Sequence, residues 1–208
     1  MQQFTQLFQA LDATTSTNAK VRALRHYFEH AEPADAVWAL YLLLGKTRKR
    51  LITSRTLRDI FLNLTDIPEW LFADCYAHVG DSAEVIALLR PESLTPTTPQ
   101  PSLPLHEWME TVIPQVKTVD SPVALRSLVL AWWAALNPVE VLVLNKLLTG
   151  AFRVGVSSQL VIKGLAAATG IDSAVLTHRL MGEFEPTVEF YTQLTQAETL
   201  ARSPSQPL

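Results

Sequence analysis

Apolar residues recur at helical spacing along almost the whole chain, and no stretch alternates with the period of two expected of a half-buried strand. Phe4, Leu7, Phe8 and Leu11 follow the i, i+3, i+4, i+7 rule, and Val21, Leu24, Tyr27 and Phe28 form a second stripe. The run Val37 to Leu44 is apolar nearly all round, the pattern of a central helix. Glycine points the same way. The 208 residues include only 7, fewer than a β-sandwich or a glycine-looped βαβ fold normally needs in its turns. The expected fold is all-α, with roughly a dozen helices.

Start and stop signals divide the chain. Thr14 to Thr17 break the first helix and supply caps for the second. Pro33 fits the first turn of the third, and Gly45 stops it. Thr53 or Ser54 caps the next, and Pro68 opens another that carries Trp70, Leu71, Cys75 and Val79. Gly80 closes that helix and Asp81 caps its successor, with Glu84 placed to complete a capping box. Leu105 to Val119 reads as one helix with a kink at Pro114. Ser121-Pro122, Asn137-Pro138, Ser157 or Ser158, and Asp172 start four more, and a short last helix runs from about Thr187 to Leu194. The tryptophans at 38, 70, 108, 132 and 133 lie on apolar faces and are expected in the core.

Pro91 to Pro104 holds five prolines and one charge, Glu92, and reads as an extended connection. It joins lobes of about 1–90 and 105–202, and 203–208 read as a linker or frayed tail. The start lacks the basic and apolar regions of a signal peptide. The apolar run Leu128 to Leu136 is far shorter than the roughly 18 residues a membrane span needs. One cysteine, Cys75, excludes an internal disulfide and suits a reducing, cytoplasmic setting. Lys and Arg number 17 against 20 Asp and Glu, so any affinity for nucleic acid must come from a local patch.

Phosphate-loop, nucleophile-elbow and zinc-protease motifs are absent from the sequence. His26 and His30 have metal-pair spacing but no third ligand nearby in sequence, and read as surface histidines. Two features point to phosphate. Lys46, Arg48, Lys49 and Arg50, followed by Arg55 and Arg58, place six cations within 13 positions, with no acid between Asp35 and Asp59. Such a cluster attracts phosphate; the other reading is a solvated loop of charges. Lys146 to Ser158 forms the second feature, separate in sequence from the first. A helix ends at Gly150, a turn carries Arg153, Gly155 allows close approach, and a new helix starts at Ser157-Ser158 with Lys163 further along it. A helix start offers unpaired N–H groups to an anion. The alternative is an ordinary corner that needs glycine for its backbone angles.

Leu144 to Ala168, with Gly150-x-x-Arg153-x-Gly155, resembles a corner in the N-terminal DNA-binding domain of ATP-dependent DNA ligases. Gly80-Asp81-Ser-Ala-Glu84 is similar to that domain's Gly-Asp corner. Leu11-Asp-Ala-Thr-Thr-Ser-Thr-Asn-Ala-Lys20 resembles the start of the family's bacterial branch. The resemblance implies a helical domain that grips nicked duplex DNA through the minor groove, in DNA replication, repair or recombination. It implies phosphate contacts at Gly150, Arg153 and Gly155. Position adds Lys146, Ser157, Ser158 and Lys163 as expected contacts, and the basic cluster adds Lys46, Arg48, Lys49, Arg50 and Arg55. The sequence has no Asp-Gly pair, hence no K-x-D-G nucleophile motif. The chain is therefore expected to hold no cofactor or catalytic residue itself. ATP and Mg would serve a parent ligase whose nucleotidyltransferase domain is the expected intramolecular partner. The competing reading is a helical scaffold or protein-interaction domain with no nucleic-acid role.

Overall fold

Short polar side chains set most of the helix starts. A computed structural model describes residues 1–46, 49–91 and 102–196. In it the side chains of Ser16, Thr53, Asp81, Ser121, Ser157, Asp172 and Thr187 each accept an N–H from the first turn that follows. Asn137 goes further and closes a full capping box with Glu140. At Asp81 only half of the expected box forms. Its carboxylate takes the N–H groups of Ala83 and Glu84, while Glu84 stays exposed.

Twelve α-helices and no strand occur among the described residues. The first six are α1 (Gln2–Asp12), α2 (Thr17–His30), α3 (Pro33–Leu43), α4 (Ser54–Leu62), α5 (Glu69–Val79) and α6 (Ser82–Leu89). The others are α7 (Leu105–Glu107), α8 (Pro122–Ala135), α9 (Pro138–Thr149), α10 (Ser158–Thr169), α11 (Ser173–Arg179) and α12 (Val188–Leu194). The helix expected over 105–119 is not uniform. After α7 it widens into a π turn, Trp108–Val112, then tightens to 3₁₀ over Ile113–Thr118. Pro114 has no N–H to return to Glu110, so the α pattern cannot pass through it.

Helices from before and after the proline-rich stretch pack on each other. α2 lies along α10, α6 against α9, and α3 against α7 and α12. One apolar cluster runs through all of them, with Phe4, Trp38, Phe61 and Trp133 fully buried. Of the connection at 91–104, residues 92–101 lie outside the described residues, as does the tail expected at 203–208. Trp70 departs from expectation, being 69% exposed rather than in the core. The sequence of α5 is apolar on several sides, so periodicity does not single out one face, and Phe72 is the residue that α5 buries. Among the described residues no single helix is long and apolar enough to cross a membrane.

Candidate nucleic-acid interface

The C-terminus of α9 turns sharply at Gly150, whose φ of +67° is left-handed and costly for any residue with a Cβ. Gly150 N–H donates to Leu147 O and Ala151 N–H to Lys146 O, the paired bonds of a Schellman end. Phe152 then turns inward. It is 2% exposed and packs on Phe4 and Phe8 of α1, with ring centroids 5.5 and 5.8 Å away. Pinning Phe152 sends its neighbour outward: Arg153 is exposed and has no ion-pair or hydrogen-bond partner among the described residues. Two residues on, Gly155 is also exposed, and Ser157 caps α10 by accepting the Leu160 N–H at 3.3 Å. Gly45, Gly150, Phe152, Arg153, Ser157 and Ser158 are among the residues around an open depression of about 410 Å³.

The basic cluster joins this corner. Leu51 and Ile52 both donate their N–H groups to Leu148 O, at 3.0 and 3.1 Å. That fastens the preceding residues beside the end of α9, so close that a Cβ on Gly150 would lie 3.5 Å from Arg50 Cα. Lys49 and Arg50 are exposed and, like Arg153, have no partner among the described residues. Two features far apart in sequence thus meet at the end of α9, where Arg50 adjoins Gly150. Arg48 lies outside the described residues.

Not every expected contact faces solvent. Lys46 donates to Gly182 O and Glu183 at 3.0 and 3.3 Å and sits over the Phe184 ring, 5.2 Å from its centroid. Lys146 points inward to Asp81 at 2.5 Å. These two lysines hold the scaffold of the site. Arg55 is exposed and lies 3.9 Å from Asp59, while Arg58 meets Asp59 and Glu69. Lys163 is exposed on α10 without a partner among the described residues. The His26 and His30 rings adjoin at the surface, 4.4 Å between centroids and tilted by 41°, and among the described residues no group of three His, Cys, Asp or Glu side chains is placed to hold a metal ion.

The Asp81–Lys146 pair ties the N-terminus of α6 to the last turn of α9, directly below the corner. Burial pushes the Asp81 carboxyl up, but its bond to Lys146, that residue's charge and the N–H groups of Ala83 and Glu84 together hold it below the usual carboxylate range. A carboxyl depressed in the folded state stabilises the fold above its unfolded pKa of about 3.9 and loses that contribution as pH falls through the folded value. Lys146→Met should therefore destabilise the protein at neutral pH. The gap to wild type in urea midpoints should shrink as pH is lowered below about 4. A gap constant down to pH values where carboxylates are neutral would remove the ion pair from the account.

Two features of the site carry no strong sequence signal. Phe152 looks like any core aromatic, yet its burial decides which way Arg153 points. Lys20 ends the motif Leu11 to Lys20, and its ammonium donates to the Gly155 carbonyl across 135 residues of sequence. The family model described as DNA ligase N terminus matches residues 1–166. No curated protein matches the chain.

Proposed function

The chain belongs to the N-terminal domain family of ATP-dependent DNA ligases, and from that premise we propose that it grips nicked duplex DNA by its phosphates at the Gly150–Ser158 corner. The family gives the chain a role in an ATP-dependent ligase, an enzyme class that uses ATP and a metal ion. In our reading the nucleotidyltransferase domain of the parent enzyme supplies the lysine nucleophile, with Mg as its metal, in the cytoplasm. This chain's part is to hold the two sides of the nick while that chemistry proceeds.

The observation that carries the reading is Arg153 together with Lys49 and Arg50: three exposed cations without partners among the described residues, on backbone fixed by Phe152 and by the Leu148 carbonyl. A guanidinium held on rigid backbone can meet a phosphate with two parallel N–H bonds at little entropic cost. Gly150 leaves room for the backbone at Arg50, and Gly155 for the Lys20 ammonium. Ser157 and Ser158 stand at the start of α10, where a negative charge is favoured. Contacts of this kind position a duplex without reading its sequence.

Fluorescence anisotropy with labelled nicked duplex tests this. Arg153→Ala should weaken binding roughly tenfold at 0.1 M salt, alike for unrelated sequences, and make the log K against log salt slope shallower by about one unit. Changing Lys49 and Arg50 together to Ser should reduce the slope by about two units. Unchanged affinity in both variants would exclude the phosphate corner and leave the helical-scaffold reading.

A further inference from the structure

We infer that Lys20 is a further phosphate-contacting residue of this interface, its ammonium carried from α2 to the corner by the Gly155 carbonyl. The inference rests on the phosphate reading of that corner. Its geometry begins with helix packing. Gly164 of α10 has no side chain, and α2 approaches so closely there that a Cβ on Gly164 would fall 2.3 Å from Leu24 Cβ. Lys20 lies four residues before Leu24, on the same face of α2. The close crossing at Leu24 therefore lays Lys20 against the segment that enters α10, and its Nζ reaches Gly155 O.

Gly155 leaves that side open. A Cβ built on it would stand 3.6 Å from the Lys20 ammonium, so the cation occupies the face that the glycine leaves bare. A lysine ammonium has three N–H donors, and the carbonyl takes one. No carboxylate pairs with Lys20 among the described residues, and the contact lies at the exposed surface. Its positive charge is therefore not neutralised by a carboxylate among the described residues, and it stands at Gly155, two positions along the chain from Arg153. One carbonyl fixes a flexible side chain that a phosphate would otherwise have to order for itself.

The test uses the full chain, labelled nicked duplex and anisotropy across a salt series. Lys20→Gln keeps a donor for the Gly155 carbonyl and removes the charge, which protects the fold. Lys20→Arg keeps the charge. Lys20→Gln should weaken binding about tenfold at 0.1 M salt and lower the salt slope by about one unit. Lys20→Arg should retain the slope. The Lys20→Gln, Arg153→Ala double variant should lose about two units, because two separate phosphate contacts are removed. Three results would overturn the inference: no change in Lys20→Gln while Arg153→Ala weakens binding, a loss of affinity with the slope intact, or a double variant no weaker than Arg153→Ala alone. The second and third would make Lys20 a positioning residue for the corner. No change in either single variant would overturn the phosphate reading itself.

Discussion

Asp35→Ala should lower the melting temperature by roughly 6–12 °C, about 3 kcal/mol for a chain of this size. Asp35 sits in the first turn of α3, but its carboxylate serves another helix. It accepts the N–H of Leu105 at 3.1 Å, the N–H of His106 at 2.9 Å and His106 Nδ1 at 2.6 Å. Those backbone groups begin α7, whose N-cap is Pro104, a residue with no side chain able to cap. Asp35 supplies the cap from 70 residues away. Alanine would leave one buried and one part-buried N–H group without an acceptor, and an unsatisfied buried donor costs far more than a solvated one. Asp35→Asn retains an oxygen acceptor and should lose less than half as much. Thermal unfolding followed by circular dichroism measures both. A single transition is expected in each case, since the apolar core runs through helices on both sides of the connection. A shift under about 2 °C in Asp35→Ala would mean that water or another group satisfies α7.

Gly164 should be nearly as intolerant. In an exposed helix, glycine to alanine gains about 1 kcal/mol. Here the gain is opposed by a collision at 2.3 Å with Leu24 Cβ, an atom that no rotamer change can move. The helices would have to separate, and overpacking of this kind costs about 1–3 kcal/mol for one added carbon. Gly164→Ala should therefore destabilise the protein, and Gly164→Val should do so by about 3 kcal/mol or more, roughly 6–12 °C in melting temperature. Separation of α2 from α10 would also draw Lys20 away from Gly155. The folded fraction of Gly164→Val should then bind nicked duplex more weakly than wild type. A melting temperature equal to or above wild type in Gly164→Ala would show that α2 can yield at no cost.

The helices themselves were largely readable from the chain because their determinants are local. A cap acts on a backbone group two or three residues away, as Ser16, Asn137, Ser157 and Asp172 do, and a glycine such as Gly150 ends a helix through its own dihedral angles. Apolar spacing then marks the face to be buried wherever that face is narrow, as on α1 and α4. Where a helix is apolar on several sides, as α5 is, sequence names no face, and Trp70 ended outside. The corner for which we propose a phosphate role lies within one short stretch, so its residues Gly150, Arg153, Gly155 and Ser157 could be picked out together from the sequence.

Direction and pairing were settled by tertiary contact. Lys46 and Lys146 read as two more cations of a basic surface. The structure turns one to Glu183 and the Phe184 ring and the other to Asp81. Lys20 read as the end of a motif and arrives at Gly155. Asp35 read as the acidic first turn of its own helix and caps α7. Each outcome depends on which helices meet, and that is decided by packing over the whole core. A side chain's partner is whatever polar group the packing brings within about 3 Å, and residues 65 to 137 positions apart carry no local signal of that encounter.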